Sequence, residues 1–78
     1  MKLLVRNLAR STTEHEIRTL FSEYGDVKEC TLVLDQETGL SKGFAFIEMP
    51  EEAQAKAALS ALNLTSFANS KIRVKVAN

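Results

Sequence analysis

The hydrophobic period of this 78-residue chain alternates between two and about 3.6 residues, in an order that leaves few folds open. "KLLVRNL" alternates as a strand, with Leu3 and Val5 on one face and Lys2, Leu4 and Arg6 on the other. "STTEHEIRTLFSEYG" then places Ile17, Leu20, Phe21 and Tyr24 on one helical face. Thr13 followed by Glu16 fits a capping box, and Gly25 is its expected stop. "VKECTLVL" and "KGFAFIEM" read as two further strands, joined by "DQETG", whose Gly39 can take a positive φ. Pro50 is expected to open a second helix, "EEAQAKAALSALN", with glutamates at its N-terminus and an apolar stripe of Ala55, Ala58, Leu59 and Leu62. "KIRVKV" reads as the last strand, with Ile72, Val74 and Val76 against Lys71, Arg73 and Lys75.

The resulting order is β-α-β-β-α-β. Right-handed crossovers then predict an α+β fold, one four-stranded antiparallel sheet with both helices on the same face. Residues 1–78 suffice for a single domain with one modest core. A composition of 45% hydrophobic and 26% charged residues is that of a globular chain. Cys30 lies in an apolar stretch and reads as a small core hydrophobe, consistent with a reducing compartment. One cysteine and one histidine, His15, supply no metal set and no nucleophile–base pair, so no cofactor is implied. The carboxylates fall mostly on helices, and Asp35 and Glu37 flank a hairpin loop, so the chain does not read as an enzyme. "MKLLVRNLAR" lacks the long apolar run of a signal peptide or membrane span, and the expected location is cytoplasmic.

The third strand carries an oddity. Lys42, Phe44, Phe46 and Glu48 share one face, and Gly43, Ala45, Ile47 and Met49 share the other. A lysine and a glutamate require the wet side, and that parity sends two of four phenylalanines outward with them. The uncovered face of the sheet is therefore expected to collect Leu4, Arg6, Thr31, Val33, Phe44, Phe46, Glu48, Arg73 and Lys75, with Lys2, Lys42 and Lys71 near its margins. Cys30 and Leu32 are placed inward, and Glu48 is expected to pair with Arg73 across strands. Net charge is zero, from ten basic and ten acidic residues. A cationic sheet face then requires an acidic helical side, which Glu14, Glu16, Glu23, Glu51 and Glu52 fit. Rings flanked by cations suit single-stranded nucleic acid, because bases stack on the rings while cations meet phosphates. A surface for a protein partner is the alternative.

"KGFAFIEM" resembles the octamer motif of the RNA recognition motif (RRM) family, and "LLVRNL" resembles its hexamer motif. The likeness covers essentially the whole chain, including the "ETG" before the octamer and the "ALN" after the second helix. It implies the ferredoxin-like RRM fold and single-stranded RNA bound across the sheet, with single-stranded DNA as a second candidate ligand. The octamer's stacking aromatics correspond to Phe44 and Phe46, and its basic residue to Lys42. Glu48 falls on an outward position that can meet a base. The hexamer's usual aromatic corresponds to Leu4, a departure that removes a ring. Leu64 and Asn69 stand where the family often has glycine. The format resembles small free-standing single-RRM proteins of bacteria. One such unit binds weakly, so a protein partner or a second copy would strengthen it.

Overall fold

Residues 1–77 are described by a computed structural model. The chain runs β1 (Lys2–Arg6), α1 (Glu14–Ser22), β2 (Glu29–Leu34), β3 (Ser41–Glu48), α2 (Glu52–Leu62), β4 (Ser66–Phe67), β5 (Ser70–Lys71) and β6 (Arg73–Val76). Four strands form one sheet in the order β2-β3-β1-β6, with antiparallel pairing throughout. The first and third strands are therefore central. Leu3, Val5, Ala45, Ile47, Met49 and Val74 point inward and meet Ile17 and Phe21 of α1 and Ala55, Ala58 and Leu62 of α2. Burying side chains such as Phe21, Leu3 and Ile17 contributes about 1.5–3 kcal/mol each. The alanines on α2 let that helix approach the sheet closely.

The first helix starts where the sequence places it. Thr13 Oγ1 accepts from the backbone N–H of Glu16 at 3.2 Å, and Glu16 Oε1 accepts from that of Thr13 at 2.9 Å. The helix ends at Ser22 with Glu23 at its C-cap. Gly25 follows as a point of close approach, since a Cβ there would run into the side chain of Gln54. Gln54 Oε1 accepts from the Asp26 N–H at 3.1 Å, which ties the segment after α1 to α2. Pro50 precedes α2 by one residue more than expected, with Glu51 at the N-cap and no side-chain cap.

The end of the chain departs from the single strand expected over "KIRVKV". Lys71 belongs to the short β4–β5 hairpin, and only Arg73–Val76 joins the sheet. Ala68 and Asn69 turn that hairpin with φ of 51° and 65°. Two successive positive φ values are what a tight two-residue hairpin needs, and asparagine tolerates them better than alanine does. Leu64 also takes a positive φ, 66°, while its N–H donates to the Ile72 carbonyl at 2.8 Å. Val76 has inward parity but remains 42% exposed at the end of this edge strand. Among the described residues, no helix is long and apolar enough to cross a membrane.

Candidate functional site

Strand register arranges the outward side chains in rows. Thr31, Phe46, Leu4 and Lys75 are successive cross-strand partners over all four strands. Toward one end of the face, Glu29, Glu48 and Lys2 form the next row. Toward the other, Arg6 faces Arg73, and Phe44 adjoins Ala45, the partner of Val5. Both helices pack on the opposite side of the sheet. Phe44, Phe46 and Leu4 are half-buried by their neighbours, while Lys2, Arg6, Thr31, Lys42, Arg73 and Lys75 are exposed. Val33 is half-buried, between the Leu32 and Leu34 positions where the register shifts. Lys2, Leu4, Arg6, Thr31, Phe46, Glu48, Arg73 and Lys75 thus lie on this face with Phe44 against Phe46, Val33 and Lys42 flank the β2–β3 irregularity at its margin, and Lys71 sits apart in β5 with its carbonyl accepting from Asn7 Nδ2 at 2.8 Å.

The two phenylalanine rings stand edge to face, with centroids 6.2 Å apart and planes at 86°. This arrangement satisfies their quadrupoles and leaves the rings differently presented to a ligand. The Lys2 ammonium lies 5.6 Å from the centroid of Phe46, within the range of a cation–π contact. Gly43 sets the entry to the aromatic pair. It takes φ 84°, and a Cβ would sit 3.2 Å from the Leu8 carbonyl oxygen. Its own carbonyl accepts from the Leu8 N–H at 2.8 Å. The β2–β3 register shifts between Leu32 and Leu34, so β3 bulges here before Phe44.

The expected pair between Glu48 and Arg73 is not formed. Register puts β1 between β3 and β6 and sends the two residues to opposite ends of the face. The Glu48 carboxylate instead lies 3.5 Å from the Met1 ammonium. Two further polar residues of this face escaped sequence reading. Glu29 alternates with Thr31 on β2, so parity could have found it, and it sits directly opposite Glu48. Arg10 lies outside any strand, where no periodicity exists to orient it. With Asp35, Thr38, Leu40, Ser41, Lys42 and Phe44 it lines a concavity of about 470 Å³.

The β2–β3 connection is ordered by Asp35, whose Oδ1 accepts from the N–H groups of Glu37 at 2.8 Å and Thr38 at 3.1 Å. These bonds, with a smaller contribution from the Lys42 charge, hold its carboxyl below the usual carboxylate range. Cys30 lies under the sheet, 5% exposed, with Sγ donating to the Glu14 carbonyl at 3.6 Å. Burial raises its thiol pKa, the Glu14 charge raises it further, and Arg18 opposes both. That is the environment of a packing residue, as expected. The helical side carries exposed Glu14, Glu16, Glu23, Glu51 and Glu52. Among the described residues, no group of three or more His, Cys, Asp or Glu could hold a metal ion.

Residues 3–73 match the family model described as RNA recognition motif. A protein of Nostoc sp., RbpD, named for RNA binding, is 40% identical over 99% of this chain and 82% of its own length. The crystal structure of RNA binding protein PG1 superposes with a TM-score of 0.94 at 36% identity, covering 96% of this chain and 90% of that one. An Sxl-lethal protein/RNA complex matches at TM-score 0.93 and 30% identity, covering 99% of this chain and 46% of that one.

Proposed function

The chain belongs to the RNA recognition motif family, and on that footing we propose that it binds short single-stranded RNA across the outer face of its sheet. Bases stack on Phe46 and Phe44, and Leu4 adds apolar contact in the same row. Arg6, Lys42, Arg73 and Lys75 meet phosphates, while Lys2, Thr31 and Glu48 are within reach of base edges. The observation that carries the reading is the row Thr31–Phe46–Leu4–Lys75. It puts a ring, an apolar side chain and a cation side by side over the full width of the face opposite both helices. Each stacked base contributes about 1–3 kcal/mol, so two rings support modest affinity.

RNA should bind at least as well as DNA of the same sequence, since stacking is indifferent to the sugar and only contacts to the 2′-hydroxyl discriminate. The test is an NMR titration of the labelled protein with matched pools of short RNA and DNA. Shifts concentrated on β1 and β3 support the reading. Shifts absent from the sheet, or a consistent preference for DNA, oppose it.

One observation favours a second reading, a protein partner on the helical side. His15, Glu16, Thr19 and Leu20 of α1, its C-cap Glu23 and Phe67 of β4 line a groove of about 370 Å³. Its apolar floor and acidic walls suit a basic segment with one apolar anchor. In the same titration it predicts a sheet that stays silent to RNA.

A further inference from the structure

The outer face is not uniformly cationic, and its exception has a shape. Lys2, Glu29, Thr31, Phe46 and Glu48 line a concavity of about 180 Å³ at one end of the sheet. Its size is that of about one base rather than of a whole nucleotide. Phe46 forms one wall, so a base stacked on that ring presents an edge to the remaining residues. Glu29 and Glu48 are directly opposed across β2 and β3. Like charges in that relation oppose strand pairing; the Met1 ammonium offsets Glu48, and fold stability does not account for Glu29. Among the described residues, Glu29 has no ion-pair partner and its side chain makes no hydrogen bond.

We propose that this concavity reads guanine, with Glu29 and Glu48 accepting from its N1–H and N2 amino groups while Lys2 donates toward O6 or N7. The proposal rests on the RNA-binding reading above and names the base that the site selects. An ionised carboxylate is an acceptor only, so a ligand edge facing Glu29 and Glu48 must present donors, and the Met1 ammonium 3.5 Å from Glu48 leaves further lone pairs of that carboxylate to the ligand. Guanine is the one common base whose Watson–Crick edge places two donors side by side. Adenine and cytosine put a ring-nitrogen acceptor beside their amino group. Uracil flanks its single N–H with two carbonyls. Those acceptors would face carboxylate oxygens and be repelled. The Lys2 ammonium, already near Phe46, supplies the donor that guanine's remaining acceptors need. Arg6 and Arg73, opposed at the far end of the face with no carboxylate in their row, are the cations left for the phosphates.

The experiment uses short oligouridines carrying one central guanosine, inosine, adenosine or cytidine, with the all-uridine oligomer as reference. The guanosine oligomer should bind about five- to tenfold tighter than the other three standard oligomers, the lower part of the value of a bidentate base contact. Inosine, lacking the N2 amino group, should fall between. In Glu29→Ala the ratio of guanosine to uridine affinity should fall to about twofold or less, and Glu48→Ala should reduce it as well. Circular dichroism checks that both variants fold, and Glu29, exposed on an edge strand, is the safer of the two. Equal affinity for all oligomers, preference for another base, or a guanosine preference intact in both variants would overturn the proposal and leave RNA binding standing. No binding to any oligomer would overturn the RNA-binding reading with it.

Discussion

Leu4 and Phe46 face one another as cross-strand partners of β1 and β3, at the centre of the uncovered face. Their neighbours in the row are Thr31 beside Phe46 and Lys75 beside Leu4. A ring at position 4 would therefore stand next to Phe46 and beside a cation. Leu4→Phe should tighten RNA binding by about 0.5–1.5 kcal/mol, the lower part of the stacking range because leucine already contributes apolar contact. Stability should change little, since the side chain is only half-buried. Titrating both proteins with the same RNA checks this. Flat or weakened binding in a folded variant would mean that position 4 does not lie under a base.

The aromatic pair makes a separate prediction. Phe44→Ala and Phe46→Ala should each weaken RNA binding by about 1–3 kcal/mol. Both should fold, because the core lies on the other side of the sheet. The 6.2 Å edge-to-face contact couples the rings, so the double variant need not lose the sum of the single effects. Isothermal titration of the three variants measures that coupling. Unchanged affinity in both single variants would remove the sheet face from the binding surface.

Charge provides an independent readout. With about two to four phosphates met, log K against log salt should have a slope near −1.4 to −2.8, from roughly −0.7 per phosphate on a single strand. Arg73→Ala should make the slope shallower by about 0.7 if Arg73 meets one phosphate. A slope near −6 would signify a footprint far larger than one sheet face, as an oligomer would present.

Much of this architecture was legible because period is a strong signal. The alternation of "KGFAFIEM" fixed the inward and outward sets of β3, and Thr13 with Glu16 marked the start of α1. The β4–β5 hairpin was not legible. It depends on Ala68 and Leu64 accepting positive φ, which their residue types do not advertise. Parity also orders side chains within a strand but says nothing of lateral order. The Glu48–Arg73 pair failed for that reason, since β1 lies between β3 and β6 and its register puts Glu48 opposite Lys2 and Arg73 opposite Arg6, at its two ends. Arg10 stayed hidden because it lies on a connection, where tertiary packing alone brings it beside Lys42 and Phe44.

The cap of α1 should be separable from function. Thr13→Ala removes the acceptor for the Glu16 N–H and leaves one orphan donor at the helix start, a cost of about 1 kcal/mol. Urea denaturation should show that loss with an unchanged m-value. RNA affinity should remain that of the parent, because α1 lies behind the sheet. A matched loss of affinity would show that α1 order is transmitted to the binding face.

Cys30 offers a test of the core through its thiol. Burial raises its pKa above the ordinary cysteine value, and Glu14 raises it further against the opposing Arg18 charge. The folded state thus favours the neutral thiol. Its contribution to stability is fully present below the unfolded-state pKa, about 8.5, and is lost as pH rises through the higher folded value. Because the thiolate is the nucleophile, iodoacetamide at pH 8 should alkylate the native chain more slowly than the urea-unfolded chain. Glu14→Gln removes one cause of the shift while keeping an acceptor for the Leu32 N–H, which Glu14 Oε2 now receives at 3.2 Å. That variant should react faster than the parent at the same pH, and Arg18→Ala more slowly. Reaction of the native parent as fast as the unfolded chain would show that Cys30 is accessible, and that the sheet opens locally at β2.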